Sequence, residues 1–264
     1  MASKFFQLFK QCLLMEFSSI TTYRLAFFLN SLSLIIKALI GPITILFIYT
    51  VSPGFNGWTL PELLVFLGTL EVTFGLVHLL VLGISWKTAC LVIDGTFDSI
   101  LTKPVNPLAY VFSQSLDYDG AIQIITGLVI VFIGLSGAGF VPSLLNWVFY
   151  ALLIIDGFFL WLTFNLVIGS LCFKYTRIDA WFNVVFSLSL FGDYPIDIYG
   201  NLMSFIFTFV LPVGLVSFYP SSYLLGRLSD PVLFGVVTLI VGLMTLASIK
   251  FYGYSLRHYT SANG

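Results

Sequence analysis

The sequence carries little charge for its length. Only 9% of its 264 residues are Asp, Glu, Lys or Arg, whereas soluble domains average about 25%. Hydrophobic residues make up 59% of the chain, and the mean hydropathy is +1.03. Because too few polar side chains remain to cover a water-exposed surface, a soluble enzyme is excluded. The net charge of −1 offers no basic field for a phosphate backbone, so we expect no nucleic-acid partner.

Cysteine is scarce, and the common cofactor motifs are missing. The three cysteines (Cys12, Cys90 and Cys172) are an odd number without metal-ligand spacing, so neither a disulfide framework nor a metal site is indicated. The sequence has no G-x-x-x-x-G-K-[ST] phosphate loop, no H-E-x-x-H pair and no dinucleotide-binding fingerprint. We therefore expect no catalytic residues, and neither a cofactor nor ATP bound by this chain.

Long apolar runs dominate what is present. A membrane-spanning helix needs about 20 apolar residues, and five runs meet that length: 25–51, 60–85, 108–135, 143–173 and 232–252. These runs predict an all-α, multi-pass membrane protein in contact with lipid. A sixth apolar region, 180–220, is interrupted by Gly192, Asp193, Pro195, Asp197, Gly200 and Pro212.

The basic residues predict the orientation, because cytoplasmic loops collect Lys and Arg. With six crossings and both termini in the cytoplasm, all eleven Lys and Arg except Lys37 and Arg227 lie on or near the cytoplasmic side. The interrupted region then crosses once, as a short fifth span at 178–194. Residues 195–219 follow as a re-entrant hairpin that dips in from the outer face and turns near Pro212. Two kinked full spans remain the alternative.

The N-terminal residues 3–22 predict an amphipathic helix that lies in the cytoplasmic interface. Its apolar face is formed at helical spacing by Phe5, Phe9, Leu13, Phe17 and Ile20.

Three charged residues fall near the middle of predicted spans, where ionisable groups are costly. Lys37 lies about 18 Å along the first span at 1.5 Å per residue, and Glu71 and Asp156 lie at similar depth in the second and fourth. We expect an ion pair of Lys37 with Glu71 or with Asp156. Such a pair could fix helix packing or line a substrate path, and the sequence leaves both interpretations open.

The connection at residues 93–107 predicts a short amphipathic helix. Ile93, Phe97, Ile100 and Leu101 share one side, Asp94 and Asp98 share the other, and Pro104 and Pro107 end the helix. Held between two spans on the cytoplasmic side, such a helix suits the role of a lever for a cytosolic partner. The alternative is a helix that rests passively on the lipid headgroups.

The same connection carries a family resemblance. The run Gly-Thr-Phe-Asp-Ser-Ile-Leu-Thr-Lys-Pro-Val-Asn-Pro-Leu at 95–108 resembles the G-x-[LF]-D-x-x-L-x-[KR]-P-x-N-P-L signature of type-2 ABC exporter permeases of the daunorubicin-resistance-like branch. A second block resembles the same family at 194–196, 207–212, 219–220 and 224–226. The end, 259–264, is near the family's Y-x-S-x-G and departs from it at Ala262-Asn263.

The resemblance implies a six-span permease that pairs with a second, identical or related permease chain and carries two cytosolic ATPase subunits. These ATPases would hold ATP and Mg, and the substrates of the family are drugs, antibiotics and lipid-like molecules. The predicted ATPase-docking residues are Asp94, Gly95, Phe97, Asp98, Leu101 and Lys103. The predicted substrate path includes Lys37, Glu71, Tyr194, Pro195 and Pro212.

The resemblance thus predicts a single permease domain, 1–264, in a bacterial-type inner membrane. Its parts are an interfacial helix (1–24), spans one to three (25–135) with a coupling helix at 93–104, spans four and five (143–194), the re-entrant segment (195–219) and span six (232–256).

Two alternatives use the same sequence differently. A secondary transporter or channel working alone predicts two repeated halves with paired broken helices, whereas the interruption occurs in the second half only. An intramembrane serine protease is suggested by Gly134-Leu135-Ser136-Gly137, which fits a G-x-S-G motif. A serine nucleophile needs a histidine within reach, and we expect His78 and His258 to lie most of a bilayer away from Ser136.

Overall fold

The computed structural model describes residues 2–55, 57–175 and 179–260, which form helices and turns without a β-strand. The predicted all-α class is confirmed. The α-helices in chain order are α1 (Ala2–Thr22), α2 (Arg24–Val51), α3 (Leu60–Leu80), α4 (Gly83–Ile93), α5 (Phe97–Leu101), α6 (Pro107–Ser113), α7 (Asp119–Ala138), α8 (Leu144–Cys172), α9 (Asp179–Ser189), α10 (Asn201–Phe205), α11 (Phe218–Leu224) and α12 (Pro231–Arg257). Short 3-10 turns at Leu190–Asp193, Ile196–Tyr199 and Val213–Leu215 and one π-turn at Ile206–Val210 complete the described elements.

Five helical stretches in the described residues are long and apolar enough to cross a membrane: α2, the run of α3 and α4 (Leu60–Ile93), α7, α8 and α12. The chain is therefore an integral, multi-pass membrane protein. Helices α2 and α8 match the predicted apolar runs to within one residue at each end. Helix α12 continues past the apolar run, which ends at 252, and ends at Arg257, one residue beyond the predicted end of span six.

The predicted run 108–135 is wrong as a single helix, because the chain turns between α6 and α7. The carboxylate of Asp117 lies 3.4 Å from Nε2 of His78, and the backbone N–H of Asp117 donates to the carbonyl of Leu79 at 3.1 Å. The same carboxylate accepts from the backbone N–H of Asp119 at 3.0 Å and so supports the start of α7. These polar contacts draw the chain back to the end of α3, and the third span begins at Asp119 instead of Leu108.

Helices α3 and α7 pack backbone against backbone along a glycine seam. This seam consists of Gly68 and Gly75 on α3 and of Gly120, Gly127 and Gly134 on α7, spaced seven residues apart on each helix. A Cβ atom added at Gly127 would lie 2.7 Å from the carbonyl oxygen of Gly68. Small residues at two-turn spacing allow this close approach, which is a common way to associate helices in membranes.

Helix α8 packs against α3, α4, α11 and α12. Polar side chains join α8 to α12 within this packing. The hydroxyl of Thr238 donates to the Asp156 carboxylate at 2.6 Å, and the hydroxyls of Thr163 and Thr245 lie 3.1 Å apart. In a low-dielectric interior such pairs satisfy groups that lipid would leave without partners.

The region between α9 and α11 is irregular, as its glycines and prolines predict. Helix α9 has only 11 residues, fewer than a membrane crossing needs. The freed backbone finds partners within the protein, since Ser217 Oγ donates to the carbonyl of Gly192 at 2.8 Å and Ser204 Oγ to that of Ile196 at 2.7 Å. The arrangement of one crossing plus a re-entrant hairpin stays a prediction, and Ile178, its first residue, lies outside the described residues.

Helix α1 packs on α6 and on the turn before α7. The ring of Phe9 stacks on that of Phe112 at 6.3 Å, and Phe17 meets Tyr118 edge to face at 6.5 Å. The hydroxyl of Tyr118 also donates to the carbonyl of Leu13 at 2.8 Å. The predicted apolar face of α1 therefore contacts protein at these positions, while the side chain of Phe5 lies outside the described part of the chain.

Candidate functional site

The connection between α4 and α6, residues 94–106, forms a short segment with helix α5 in its middle; we call it the coupling segment. Gly95 has a φ of +67°, a conformation that glycine adopts without strain, and it turns the chain after α4. The Asn106 side chain accepts from the backbone N–H groups of Leu108 and Ala109 at 2.9 and 3.3 Å and caps α6. Pro107 then occupies the first turn of α6, which needs no N–H donor there. The glycine and the Asn-Pro pair of the sequence signature are thus explained by local backbone geometry.

The apolar side of the coupling segment is narrower than predicted. Phe97 and Ile100 are fully buried, with 0% and 1% of their surface exposed. The prediction that Ile93 and Leu101 share this buried side is wrong, because they are 57% and 46% exposed. Helix α5 is only five residues long, so a single turn faces the protein and the flanking residues point away from it.

Phe97 fixes the coupling segment to the ends of two long helices. Its ring meets Phe173, which follows α8, at 5.1 Å, and Tyr259, which follows α12, at 5.5 Å. Phe173 and Tyr259 also contact each other at 5.6 Å, so the three rings form one edge-to-face cluster. This aromatic cluster joins the first and third sequence blocks in space, although residues 261–264 of the third block lie outside the described residues.

The other predicted docking residues form the outer side of the coupling segment. Asp94, Leu101 and Lys103 are exposed, whereas Gly95 and Asp98 are half-buried. The ammonium group of Lys103 bonds the hydroxyl of Tyr110 at 2.8 Å and lies 4.2 Å from the centre of its ring. The structure therefore brings the predicted docking residues together on one short segment, with Phe97 behind them as an anchor. Their contact with an ATPase stays a prediction.

The predicted ion pair of Lys37 with Glu71 or Asp156 is wrong. Lys37 is exposed on α2, and no ion pair of the described residues involves it. The buried residues of α2 are Ala38, Pro42 and Ile45, and Lys37 lies beside this stripe. Each carboxylate instead has a neutral partner, since Gln123 donates to Glu71 at 2.8 Å and Asp156 is bonded as described above.

Glu71 lines a cavity of about 370 Å³ between α3, α7, α8 and α9. Asp193, in the turn after α9, lines the same cavity. Phe74, Trp161, Phe182 and Phe186 supply aromatic walls, and Gln123 and His78 supply further polar groups. We call this space the α3–α9 cavity.

A second cavity of about 580 Å³ adjoins the α3–α9 cavity and shares His78, Leu82 and Phe182 with it. It extends along α4 to Trp86 and Lys87 and along α9 to Asn183. The Asp117 carboxylate lies at this end, and the hydrogen bond from His78 holds the pKa of Asp117 below its usual value. Together the two cavities reach from Glu71 on α3 to Lys87 on α4.

The remaining predicted path residues lie apart from the α3–α9 cavity. Within the described residues its lining includes neither Lys37 nor Tyr194, Pro195 or Pro212. Pro195 and Pro212 are buried, and the exposed ring of Tyr194 lies 6.0 Å from Phe55. Of the five predicted path residues, the structure thus places only Glu71 in this cavity.

Trp58 joins three segments at the other end of the fold. Its indole N–H donates to the Asp197 carboxylate at 3.1 and 3.2 Å, and its carbonyl accepts from the hydroxyl of Tyr49 at 2.6 Å. The guanidinium of Arg227 lies 4.0 Å from the centre of the indole and 3.6 Å from the Glu62 carboxylate. Arg227, an outer exception in the predicted topology, therefore has a specific structural role there.

The serine-protease alternative finds no support in the geometry. Ser136 Oγ donates to the carbonyl of Ile133 in its own helix at 2.8 Å. His78 contacts Asp117, and Nδ1 of His258 lies 2.9 Å from the carbonyl of Tyr254. In the part of the chain that the structure describes, no hydrogen bond joins Ser136 to either histidine.

Sequence reasoning missed most of the lining of the α3–α9 cavity. The sequence presents Asp193 only as an interruption of an apolar region, and it gives no local sign that Gln123, Trp161, Phe182 and Phe186 line one space. Their shared location depends on how α7, α8 and α9 pack, which the spacing within one helix does not contain. The one available indication was a carboxylate, Asp193, in an otherwise apolar region of a membrane protein.

The comparison with protein families agrees with this architecture. The family model described as ABC-2 family transporter protein matches residues 34–263. The chain has no significant match among curated proteins or solved structures. The matched range contains the coupling segment, all five candidate membrane-spanning helices except the start of α2, and the irregular region before α12. The chain therefore belongs to the ABC-2 family of transporter proteins and is a membrane-embedded permease component of an ABC transporter.

Proposed function

We propose that this chain is the permease subunit of an ABC exporter, that it forms the substrate path with a second permease chain, and that two cytosolic ATPase subunits drive it. ATP and Mg would bind to those ATPases. The cargo would be a hydrophobic or amphipathic small molecule or a lipid-like compound. Six crossings, the re-entrant segment at 195–219 and cytoplasmic termini in a bacterial inner membrane belong to the same proposal.

The aromatic cluster of Phe97, Phe173 and Tyr259 is the observation that carries this proposal. A fully buried ring attaches a segment with an exposed polar side to the ends of α8 and α12. Because α8 packs against α3, α4, α11 and α12, a displacement of the coupling segment would reach several helices of the bundle. Such a lever is expected in a permease whose energy comes from a separate subunit.

The proposal assigns different roles to the predicted docking residues. Asp94, Leu101 and Lys103 would contact the ATPase directly, and half-buried Asp98 would border that contact. Gly95 would set the turn that presents the segment, and Phe97 would hold it in place. The assignment follows from exposure, since a residue with 0% exposed surface cannot contact a partner without local rearrangement.

The test is whether an ATPase subunit co-purifies with this chain in mild detergent and whether the coupling segment holds it. We expect Leu101→Asp to reduce the recovered ATPase, because it places a charge within the contact. Leu144→Asp is the matched control, since Leu144 is exposed in the first turn of α8, far along the chain from the coupling segment. Equal recovery with both variants would overturn the docking assignment.

A second experiment separates this proposal from a transporter or channel that works alone. The purified chain, reconstituted in liposomes with and without the co-purified ATPase, is assayed for ATP-dependent movement of cargo. We expect movement only when the ATPase and ATP are both present. Cargo movement by the chain alone would contradict the proposal.

A further inference from the structure

The α3–α9 cavity has the size and the walls of a ligand site. Its volume of about 370 Å³ falls within the roughly 300–1,000 Å³ typical of small-molecule pockets. Phe74 and Trp161 stand 5.2 Å apart on one side, and Phe182 and Phe186 lie nearly parallel on α9 at 6.4 Å. Aromatic faces such as these attract flat or bulky apolar groups and organic cations.

Two of the three titratable side chains that line this cavity in the described residues are acidic. Glu71 and Asp193 line it, whereas no Lys or Arg occurs among its described lining residues. Among the lining residues that the structure describes, His78 is the one other titratable group, and its Nε2 lies 3.4 Å from the Asp117 carboxylate. Lys87 lines the adjoining cavity instead. Carboxylates away from water are stabilised by a positive partner, and here the protein itself supplies Glu71 only with the neutral amide of Gln123.

An inorganic cation fits this environment poorly. Metal ions of the calcium and magnesium type need about six oxygen ligands, and the described residues contain no group of three or more His, Cys, Asp and Glu side chains placed to hold a metal. Aromatic and aliphatic side chains instead form most of the wall, including Leu70, Val77 and Leu190. Such walls favour a ligand that carries its charge within an apolar body.

The position of the cavity also suits a ligand that arrives from the inner side. The adjoining cavity shares His78, Leu82 and Phe182 with it and continues along α4 to Lys87. Helix α4 ends at Ile93, directly before the coupling segment. A ligand at Glu71 would therefore occupy the deep end of a space that begins near the predicted ATPase side.

We propose that the α3–α9 cavity binds amphipathic organic cations, with Glu71 and Asp193 facing the positive charge and Trp161, Phe182 and Phe186 contacting the apolar body. This inference rests on the proposed function, because it names the class of cargo that the permease would take up. It concerns binding by the chain itself, so it can be tested without an ATPase.

The test uses two probes of the same shape and opposite charge, tetraphenylphosphonium and tetraphenylborate. Each is titrated separately into the full-length chain in lipid nanodiscs by calorimetry, and the heat of its partition into empty nanodiscs is subtracted. We expect saturable binding of tetraphenylphosphonium and none of tetraphenylborate. Equal binding of both probes, or no saturable binding of the cation, would overturn the proposal, and this comparison needs no variant.

Variants then test the assignment to this cavity. Combined Glu71→Gln and Asp193→Asn should weaken tetraphenylphosphonium binding about tenfold or more, the scale of losing a charge-assisted contact. Asp156→Asn is the matched control, because Asp156 is a membrane-embedded carboxylate that is bonded to Thr238 and absent from the described cavity lining. Similar affinity in the double variant and the control, with both folded by thermal unfolding, would overturn the assignment.

The outcomes also separate this inference from the proposed function. Cation binding without any co-purifying ATPase would contradict the ABC exporter proposal and leave the cavity inference standing. If an ATP-hydrolysing partner co-purifies but the two probes bind equally, the ABC exporter proposal stands and the cavity inference is overturned.

Discussion

The ring of Phe97 meets that of Tyr259 edge to face at 5.5 Å, which joins the connection between α4 and α6 to the end of α12. Each ring also contacts Phe173 at the end of α8. Residues from three distant parts of the chain therefore meet at the base of the bundle, outside the stretches that could span a membrane. The contact ties the most recognisable sequence motif to helices that it does not adjoin in the sequence.

Replacing Phe97 should destabilise the protein far more than replacing a neighbour on the same segment. Truncating a fully buried phenylalanine to alanine costs about 3–5 kcal/mol in soluble cores, and we expect Phe97→Ala to approach that range because its ring is completely enclosed. Leu101→Ala, in the same helix but half exposed, should cost less than about 1 kcal/mol. Thermal unfolding of both variants in detergent checks this difference, and similar midpoints would contradict the anchoring role of Phe97.

The glycine seam predicts an unusual sensitivity to a single methyl group. Gly127→Ala would place a Cβ 2.7 Å from backbone atoms of Gly68 and Val72, so α3 and α7 would have to separate. We expect a loss of at least about 1–3 kcal/mol, as for overpacked cores.

Gly242→Ala is the control for the seam, because a Cβ at this position of α12 meets nothing within 4 Å. Alanine favours a helix over glycine by about 1 kcal/mol, so this variant should be neutral or slightly more stable. The measurement is the unfolding midpoint in detergent. Equal destabilisation at Gly127 and Gly242 would show that the α3–α7 contact is not as close as described.

Acid should weaken the contact between Asp117 and His78. Because the hydrogen bond from His78 lowers the pKa of Asp117, folding favours the ionised carboxylate. This contribution is present at neutral pH and is lost as the pH falls through the lowered pKa. The Asp117 side chain is 47% exposed, so we expect its size to stay below about 1 kcal/mol.

The measurement is the difference in unfolding midpoint between the natural chain and Asp117→Asn from pH 7 down to pH 3. The difference should shrink toward acid. Asp94→Asn, an exposed carboxylate on the coupling segment, should show no such trend. A difference for Asp117→Asn that stays constant over this range would rule out the ionic contribution.

Cysteine labelling should distinguish six crossings from seven. In a chain whose three native cysteines are changed to serine, single cysteines replace Ser99, Val141 or His258, all of which are exposed. We expect a membrane-impermeant maleimide to label position 141 in intact cells and to label positions 99 and 258 only after permeabilisation. Labelling of position 258 from outside would favour two kinked spans in the region 180–220.

The bundle follows from the sequence more directly than the site does. Uninterrupted apolar runs predict α2 and α8 almost to the residue, since any long helix in lipid has to be apolar. The depth of Lys37 along α2 is predictable in the same way, but its direction around the helix is not. The buried stripe runs through Ala38 and Ile45, and Lys37 lies about 100° away from Ala38. The predicted ion pair of Lys37 is wrong because the depth of a residue along a helix does not fix the direction of its side chain.

Other features depend on packing between helices and so escaped the sequence. The turn at 114–118 separates α6 from α7 because Asp117 contacts His78 on another helix. No local sequence pattern predicts that contact. The α3–α9 cavity likewise assembles Glu71 and Asp193 from separate helices and turns. The glycine seam is different, because its seven-residue spacing is visible in the sequence on both helices and could have paired α3 with α7.

The glycine seam has a mechanical consequence for the cavity beside it. Helices whose backbones touch cannot slide past each other, because a shift of one residue, about 1.5 Å, would bring side chains where only glycine fits. The side-chain amide of Gln123 on α7 donates a hydrogen bond to Glu71 on α3 across this close helix contact. We therefore expect a backbone movement that changes the volume of the α3–α9 cavity to occur in α8 and α9, which form the walls opposite this contact.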